Sequence, residues 1–115
     1  MKKLIISADV HGSHSAWLTL INLAGQDAGL VIAGDLFDTR YGHFSDPDFA
    51  PETIKEGLGK ITVPFYYVYG NCDVPAFYPG HETSLIFNAF GRTILLSHGH
   101  RPLPVPDEVD LIIQG

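Results

Sequence analysis

The chain has 115 residues, 45% hydrophobic and 17% charged, with a formal net charge of -6. That is enough for one domain with a real core, residues 1–115, and too apolar for a disordered segment. The acidic balance argues against a protein that grips long nucleic acid by its phosphates, so no stable nucleic-acid partner is expected.

Lys2 and Lys3 lead into only three apolar residues before Ser7, too short a run for a signal peptide. No apolar stretch approaches the ~18 residues that suggest a membrane span, so a cytoplasmic protein without a membrane partner is expected. Residues 3–7 read as a buried first strand, because their apolar residues are continuous rather than alternating. Ser13 suits a helix cap before Ala16, Trp17, Leu20, Ile21, Leu23 and Ala24, which recur at helical period. Residues 25–29 end that helix, and residues 30–33 form a second buried strand. The β-α-β order predicts a parallel pair with a right-handed crossover.

Residues 39–51 are polar and rich in turn formers, and carry Tyr41, His43 and Phe44 in a long surface loop. Pro51 fits the first position of a second helix, with Ile54 and Leu58 on one face and Gly59 near its end. Pro64 precedes a third strand over 65–69, followed by a loop over 70–82 that holds Cys72, the only cysteine, which rules out an intramolecular disulfide. Strands over 84–87 and 93–97 with Gly91-Arg92 between them predict a hairpin. A Pro-rich loop covers 101–106, and a last strand covers 109–113.

Four of the strand ends carry residues of one chemical kind. Asp9-Val10-His11 follows the first strand; on extended backbone Asp9 and His11 would face one side, a carboxylate beside an imidazole suited to Mn, Fe or Zn. The plain alternative is an Asp-x-His turn in which Asp9 caps the next helix. Gly34-Asp35-Leu36-Phe37-Asp38 follows the second strand, where Asp35 can bridge two cations and Asp38 can orient a ligand, or both can belong to an ordinary acidic turn. Gly70-Asn71-Cys72-Asp73 follows the third strand, with an amide oxygen as a neutral hard ligand or simply a Gly-Asn turn. Ser97-His98-Gly99-His100 follows the strand before it and places His98 at a sheet edge, where core packing explains it poorly. His14, His43 and His81 read as solvated, and Trp17 and the strand-three tyrosines as packing.

In this order the four clusters resemble those of the calcineurin-like metallophosphoesterases, and the Gly-Asn-Cys-Asp is similar to that of their small bacterial and archaeal phosphodiesterase branch. The resemblance implies an α/β fold, a four-layer sandwich of two mixed sheets flanked by helices. It implies two divalent metals: Asp9, His11 and Asp35 on the first, Asp35, Asn71 and His98 on the second. Asp38, Asp73 and His100 stand behind these ligands. Mn2+ is favoured, with Zn2+, Fe2+ or Ni2+ as alternatives, and a metal-bridged hydroxide would attack a small phosphodiester. Asn71, Cys72 and His98 are the catalytic positions. Cys72 occupies the place where many members carry a proton-donating His. Such families close the site with Gly-His-x-His after a strand like 110–114; here Gly115 stands at that Gly, so the expected site is two histidines short and the last strands are missing. An open sheet edge then predicts a homo-oligomer. The alternative is a non-catalytic or weakly active interaction scaffold on the same fold.

Overall fold

A computed structural model describes residues 2–41, 45–98 and 107–115. His43, His100 and the loop expected over 101–106 lie outside the described residues. The elements run β1 Lys3–Ser7, α1 His14–Ala24, β2 Ala28–Ala33, α2 Pro51–Leu58, β3 Phe65–Val68, β4 Ser84–Ala89, β5 Arg92–Ser97 and β6 Leu111–Gln114.

Two three-stranded sheets form, ordered β1-β2-β3 and β4-β5-β6. The first is parallel, with Ile5 opposite Leu30 and Ile32 opposite Tyr67. The second is mixed: β4 and β5 form an antiparallel hairpin, and β6 runs parallel to β5 with Leu96 opposite Ile113. The two-sheet α/β architecture expected from the sequence is therefore present. Both helices pack toward the first sheet, which gives three of the four expected layers among the described residues.

Alternation along β2 explains how the layers hold together, since successive side chains leave a strand on opposite faces. Leu30 and Ile32 point into a core with Trp17, Leu20, Ile54 and Leu58 of the helices. Val31 and Ala33 point the other way, against Phe87, Ile94, Leu96 and Ile113 of the second sheet. Leu30, Val31 and Ile32 are fully buried, each contributing about 1.5–3 kcal/mol of transfer free energy. Tyr66 of β3 stacks on Phe87 of β4 with ring centroids 3.9 Å apart, joining the sheets near one end.

Ser13 caps α1, its Oγ accepting from the Ala16 N–H at 3.2 Å. Asp48 adds a second tie across the chain, accepting from Ser13 Oγ at 2.6 Å, Ser15 Oγ at 2.8 Å and the Ser15 N–H at 3.0 Å. These bonds hold its carboxyl below the ordinary value, the Ser13 hydroxyl having the largest effect. The segment ahead of α2 is thereby pinned to the start of α1.

Several local expectations change. β1 is not a buried strand: among the described residues it pairs on one side only, and Ile6 is 50% exposed. Leu23 of α1 is exposed, because Trp17, Leu20 and Ala24 define the buried stripe. β2 starts at Ala28, inside the stretch read as a helix end, where Ala28 and Gly29 pair with Lys3 and Leu4. β3 stops at Val68 and β6 starts at Leu111. The hairpin turn is Phe90-Gly91, with φ of 54° and 71°, the mirror-image turn geometry that matches strand twist. Arg92 belongs to β5 and pairs with Ala89.

Candidate metal centre

Because β1, β2 and β3 are parallel and adjacent, their C-terminal ends lie along one sheet edge. The segments leaving β1 and β2 continue to bond each other past the strands. The Asp9 N–H donates to the Gly34 carbonyl at 3.2 Å, His11 to Asp35 at 2.8 Å, and Gly12 to Leu36 at 2.8 Å. Among the described residues, four of the five non-glycine residues with positive φ are Asp9, His11, Asp35 and Asp38, at 56°, 50°, 55° and 52°. Each such residue carries a conformational cost, and it is tolerated where the surrounding structure over-determines it, as at ligand sites. The premise that Asp9 and His11 share a side through extended backbone does not hold. Their convergence comes from two left-handed residues instead.

Asp35 is the hub and is 3% exposed. Its Oδ1 accepts the Cys72 N–H at 2.8 Å, and its Oδ2 lies 3.1 Å from His98 Nε2. Desolvation pushes its carboxyl above the usual range, opposed by the Cys72 N–H and then by His98. His98 Nδ1 lies 2.8 Å from the Ala33 carbonyl oxygen, and a carbonyl can only accept, so Nδ1 carries a hydrogen. In the neutral imidazole the bare Nε2 then faces a carboxylate oxygen. Two such atoms at this separation call for a proton shared between them or a cation held by both. Two ligands about 2.1 Å from one ion and at a right angle lie about 3 Å apart, which this pair matches.

His11 repeats the arrangement. Its Nδ1 is 3.1 Å from Asp38 Oδ2, and its Nε2 is 3.6 Å from Asp9 Oδ1. Asp38 is buried and orients the ring, the relation by which a carboxylate fixes the tautomer of a metal-binding imidazole.

Asp73 does not reach the donors. It is 2% exposed and accepts from the Leu36, Phe37 and Gly70 N–H groups and from the Tyr67 hydroxyl, the last at 2.7 Å. It stitches the loop bearing Asp35 to the loop bearing Cys72. Tyr67, expected only to pack, is thus also a hydrogen-bond donor. Its hydroxyl is pushed far up, first by burial and then by Asp73.

Two glycines allow the close approach. A Cβ on Gly34 would sit 2.6 Å from His98 Nδ1, and one on Gly70 would collide with the Asp35 carboxylate. Both glycines immediately precede expected site residues, but the contacts that require them are between loops distant in the chain.

The donor atoms gather in two groups, His11, Asp35 and Cys72 in one and Asp9, Asp35 and His98 in the other, each within 4.8 Å. Asp35 is common to both, as expected of a bridging carboxylate. Asp9 gathers with His98 in one group and lies 3.6 Å from His11 Nε2 of the other, and Cys72 joins His11. The half-buried Cys72 has its thiol pushed up to about 11, by burial first and then by Asp35. Asn71 is exposed in the turn after Gly70. His14 is half-buried at the start of α1. His81 is not simply solvated: it stacks on Tyr78 with centroids 4.7 Å apart, and burial lowers its pKa.

A two-sheet α/β fold thus gathers carboxylates and imidazoles at its strand ends, the donor chemistry of a candidate metal centre. The calcineurin-like phosphoesterase family model matches residues 2–114, and the chain belongs to that family. It is similar to the solved structure of YfcE, a phosphoesterase from E. coli, at 27% identity and a TM-score of 0.62, over 84% of this chain and 57% of that one. It is also similar in fold to a predicted phosphoesterase from Streptococcus pneumoniae, at 22% identity and a TM-score of 0.52, over 84% of this chain and 45% of that one. The chain thus spans about half the length of the solved structures it matches. No curated protein is similar enough in sequence to count as a match. The mixed nitrogen and oxygen donors around Asp35 fit a divalent metal ion, as the family's name implies.

Proposed function

We propose that this site holds two divalent cations, Mn2+ favoured, and hydrolyses small phosphate diesters. The observation that carries the reading is the shared carboxylate: Asp35 belongs to both donor groups, so one buried anion can bind to two ions at once. When bound, the pair would polarise the phosphoryl oxygens, activate water and offset charge on the group in transfer.

The chain's own residues supply the rest. Asp38 holds the His11 ring and the Ala33 carbonyl holds the His98 ring, so neither imidazole need be reoriented when an ion arrives. Asn71, exposed beside them, offers its amide oxygen to an ion and its amide hydrogens to a phosphate oxygen. Cys72 stands where an imidazole would protonate the leaving group. A thiol, of ordinary pKa ~8.5, is a poorer acid at neutral pH, which favours diesters with good leaving groups such as aryl esters.

A cytoplasmic setting agrees with a lone free cysteine, and no helix among the described residues is long and apolar enough to cross a membrane. Self-association agrees with the one-sided pairing of β1 among the described residues and with the exposed Ile6, Leu111 and Ile112.

The test is metal content together with turnover of a nitrophenyl phosphodiester, with and without added Mn2+. Bound metal with Mn2+-dependent turnover supports the reading. Folded protein that binds no metal and turns nothing over rejects it in favour of an interaction scaffold.

A further inference from the structure

The loops that carry the centre also wall a cleft. Thr39, Phe49, Ala50, Pro51, Glu52 and Phe77 line a space of about 540 Å³ beside the start of α2, within the size range of ligand clefts. The chain joins it to the centre at two points. Thr39 directly follows Asp38, whose carboxylate lies 3.1 Å from His11 Nδ1. Phe49 and Ala50 are tied to Gly12, the residue after His11. The Ala50 N–H donates to the Gly12 carbonyl at 2.8 Å, and a Cβ on Gly12 would meet the Phe49 ring at 2.6 Å. Phe77 is fixed as well, edge to face with Phe37 at a centroid distance of 5.0 Å and with Lys55 Nζ 4.8 Å from its ring centre.

The lining is chiefly apolar, with two polar groups that restrict what can enter. Thr39 Oγ1 is shielded from water and has no hydrogen-bond partner among the described residues, so its bond is left for an occupant. Glu52 is exposed and is the charged residue of the lining, so a second anion is repelled. We infer that this cleft receives one ester substituent of the substrate, and that it selects a neutral aromatic ring over a small alkyl or a charged group. This rests on the dimetal reading above and deepens it by naming the substrate class: the phosphoryl group stays at the cations and the ring lies between Phe49 and Phe77. Because neighbours already hold both of these side chains, binding a ring against them orders little that was free.

Calorimetric titration of the Mn2+-loaded chain with phenylphosphonate, methylphosphonate and 4-carboxyphenylphosphonate tests this, because the three share one anchoring group and differ only in the substituent. Phenylphosphonate should bind about tenfold or more tighter than methylphosphonate, and the carboxylated ring more weakly than the plain one. Phe77→Ala should bring phenylphosphonate to within about threefold of methylphosphonate, with methylphosphonate affinity and Mn2+ stoichiometry unchanged. Glu52→Gln, at an exposed position that leaves folding intact, should strengthen binding of the carboxylated ring about two- to fivefold and leave phenylphosphonate unchanged. Circular dichroism checks that both variants are folded. Equal affinity for phenyl and methyl in the parent chain, or a preference that survives both substitutions, overturns the inference and leaves the dimetal reading standing. A chain that takes up no Mn2+ and binds none of the three overturns both.

Discussion

His98 and Asp35 face each other across 3.1 Å, from Nε2 to a carboxylate oxygen, although they are delivered by strands of different sheets. The bond from His98 Nδ1 to the Ala33 carbonyl commits the opposite nitrogen to that meeting. The contact therefore ties the second sheet to the centre. His98→Ala should reduce metal affinity by at least about tenfold and lower diester turnover in proportion, while His98→Gln, which retains a donor for Ala33, should keep more of the stability than of the turnover. Calorimetric metal titration and urea unfolding on both variants check this.

Asp73 and Tyr67 should separate architecture from chemistry. Removing the carboxylate in Asp73→Ala leaves three backbone N–H groups and a buried hydroxyl without their acceptor, and should cost about 3–5 kcal/mol in urea unfolding. Tyr67→Phe removes one of the four donors and should cost about 1–2 kcal/mol, with metal stoichiometry unchanged.

A pH effect is expected at His81. Burial lowers its folded pKa below the ordinary 6.5, so between the two values the unfolded chain binds more protons. Its contribution is fully present above about pH 6.5 and is lost as pH falls through the folded value. His81→Phe should make thermal stability less sensitive to pH between 6.5 and 5 than in the parent chain; an unchanged slope contradicts the packed reading of this ring.

Much of the centre was legible because parallel strands leave few choices about where their ends lie. Once β1, β2 and β3 were read as buried runs in β-α-β order, Asp9, His11, Asp35 and Asn71 had to fall along one edge. The local backbone geometry that brings the donors together was not legible. It depends on left-handed φ at Asp9, His11 and Asp35, which non-glycine residues adopt only when tertiary contacts force them, and no local pattern announces that. The same holds for Ile6, whose exposure depends on which strands lie beside β1, and for Phe90, a residue that turn chemistry disfavours at positive φ. His81 read as solvated because its partners Tyr67 and Tyr78 meet it only once β3 and the following loop fold together.

The leaving-group role gives a gain-of-function test. Cys72→His places an imidazole beside Asp35, where it can supply the proton that a thiol supplies poorly. Hydrolysis of diesters with poor, alkyl leaving groups should rise by about 100-fold, and that of nitrophenyl esters much less. Equal change for both classes would remove proton donation from the account.

The shared carboxylate is the central claim, and diffraction from metal-loaded crystals at an absorption edge tests it most directly. Two anomalous peaks should flank Asp35, one nearer Asp9 and His98 and the other nearer His11, and both should vanish or fall to a single weak peak in Asp35→Asn. Peaks elsewhere, or two undiminished peaks in Asp35→Asn, would contradict the account.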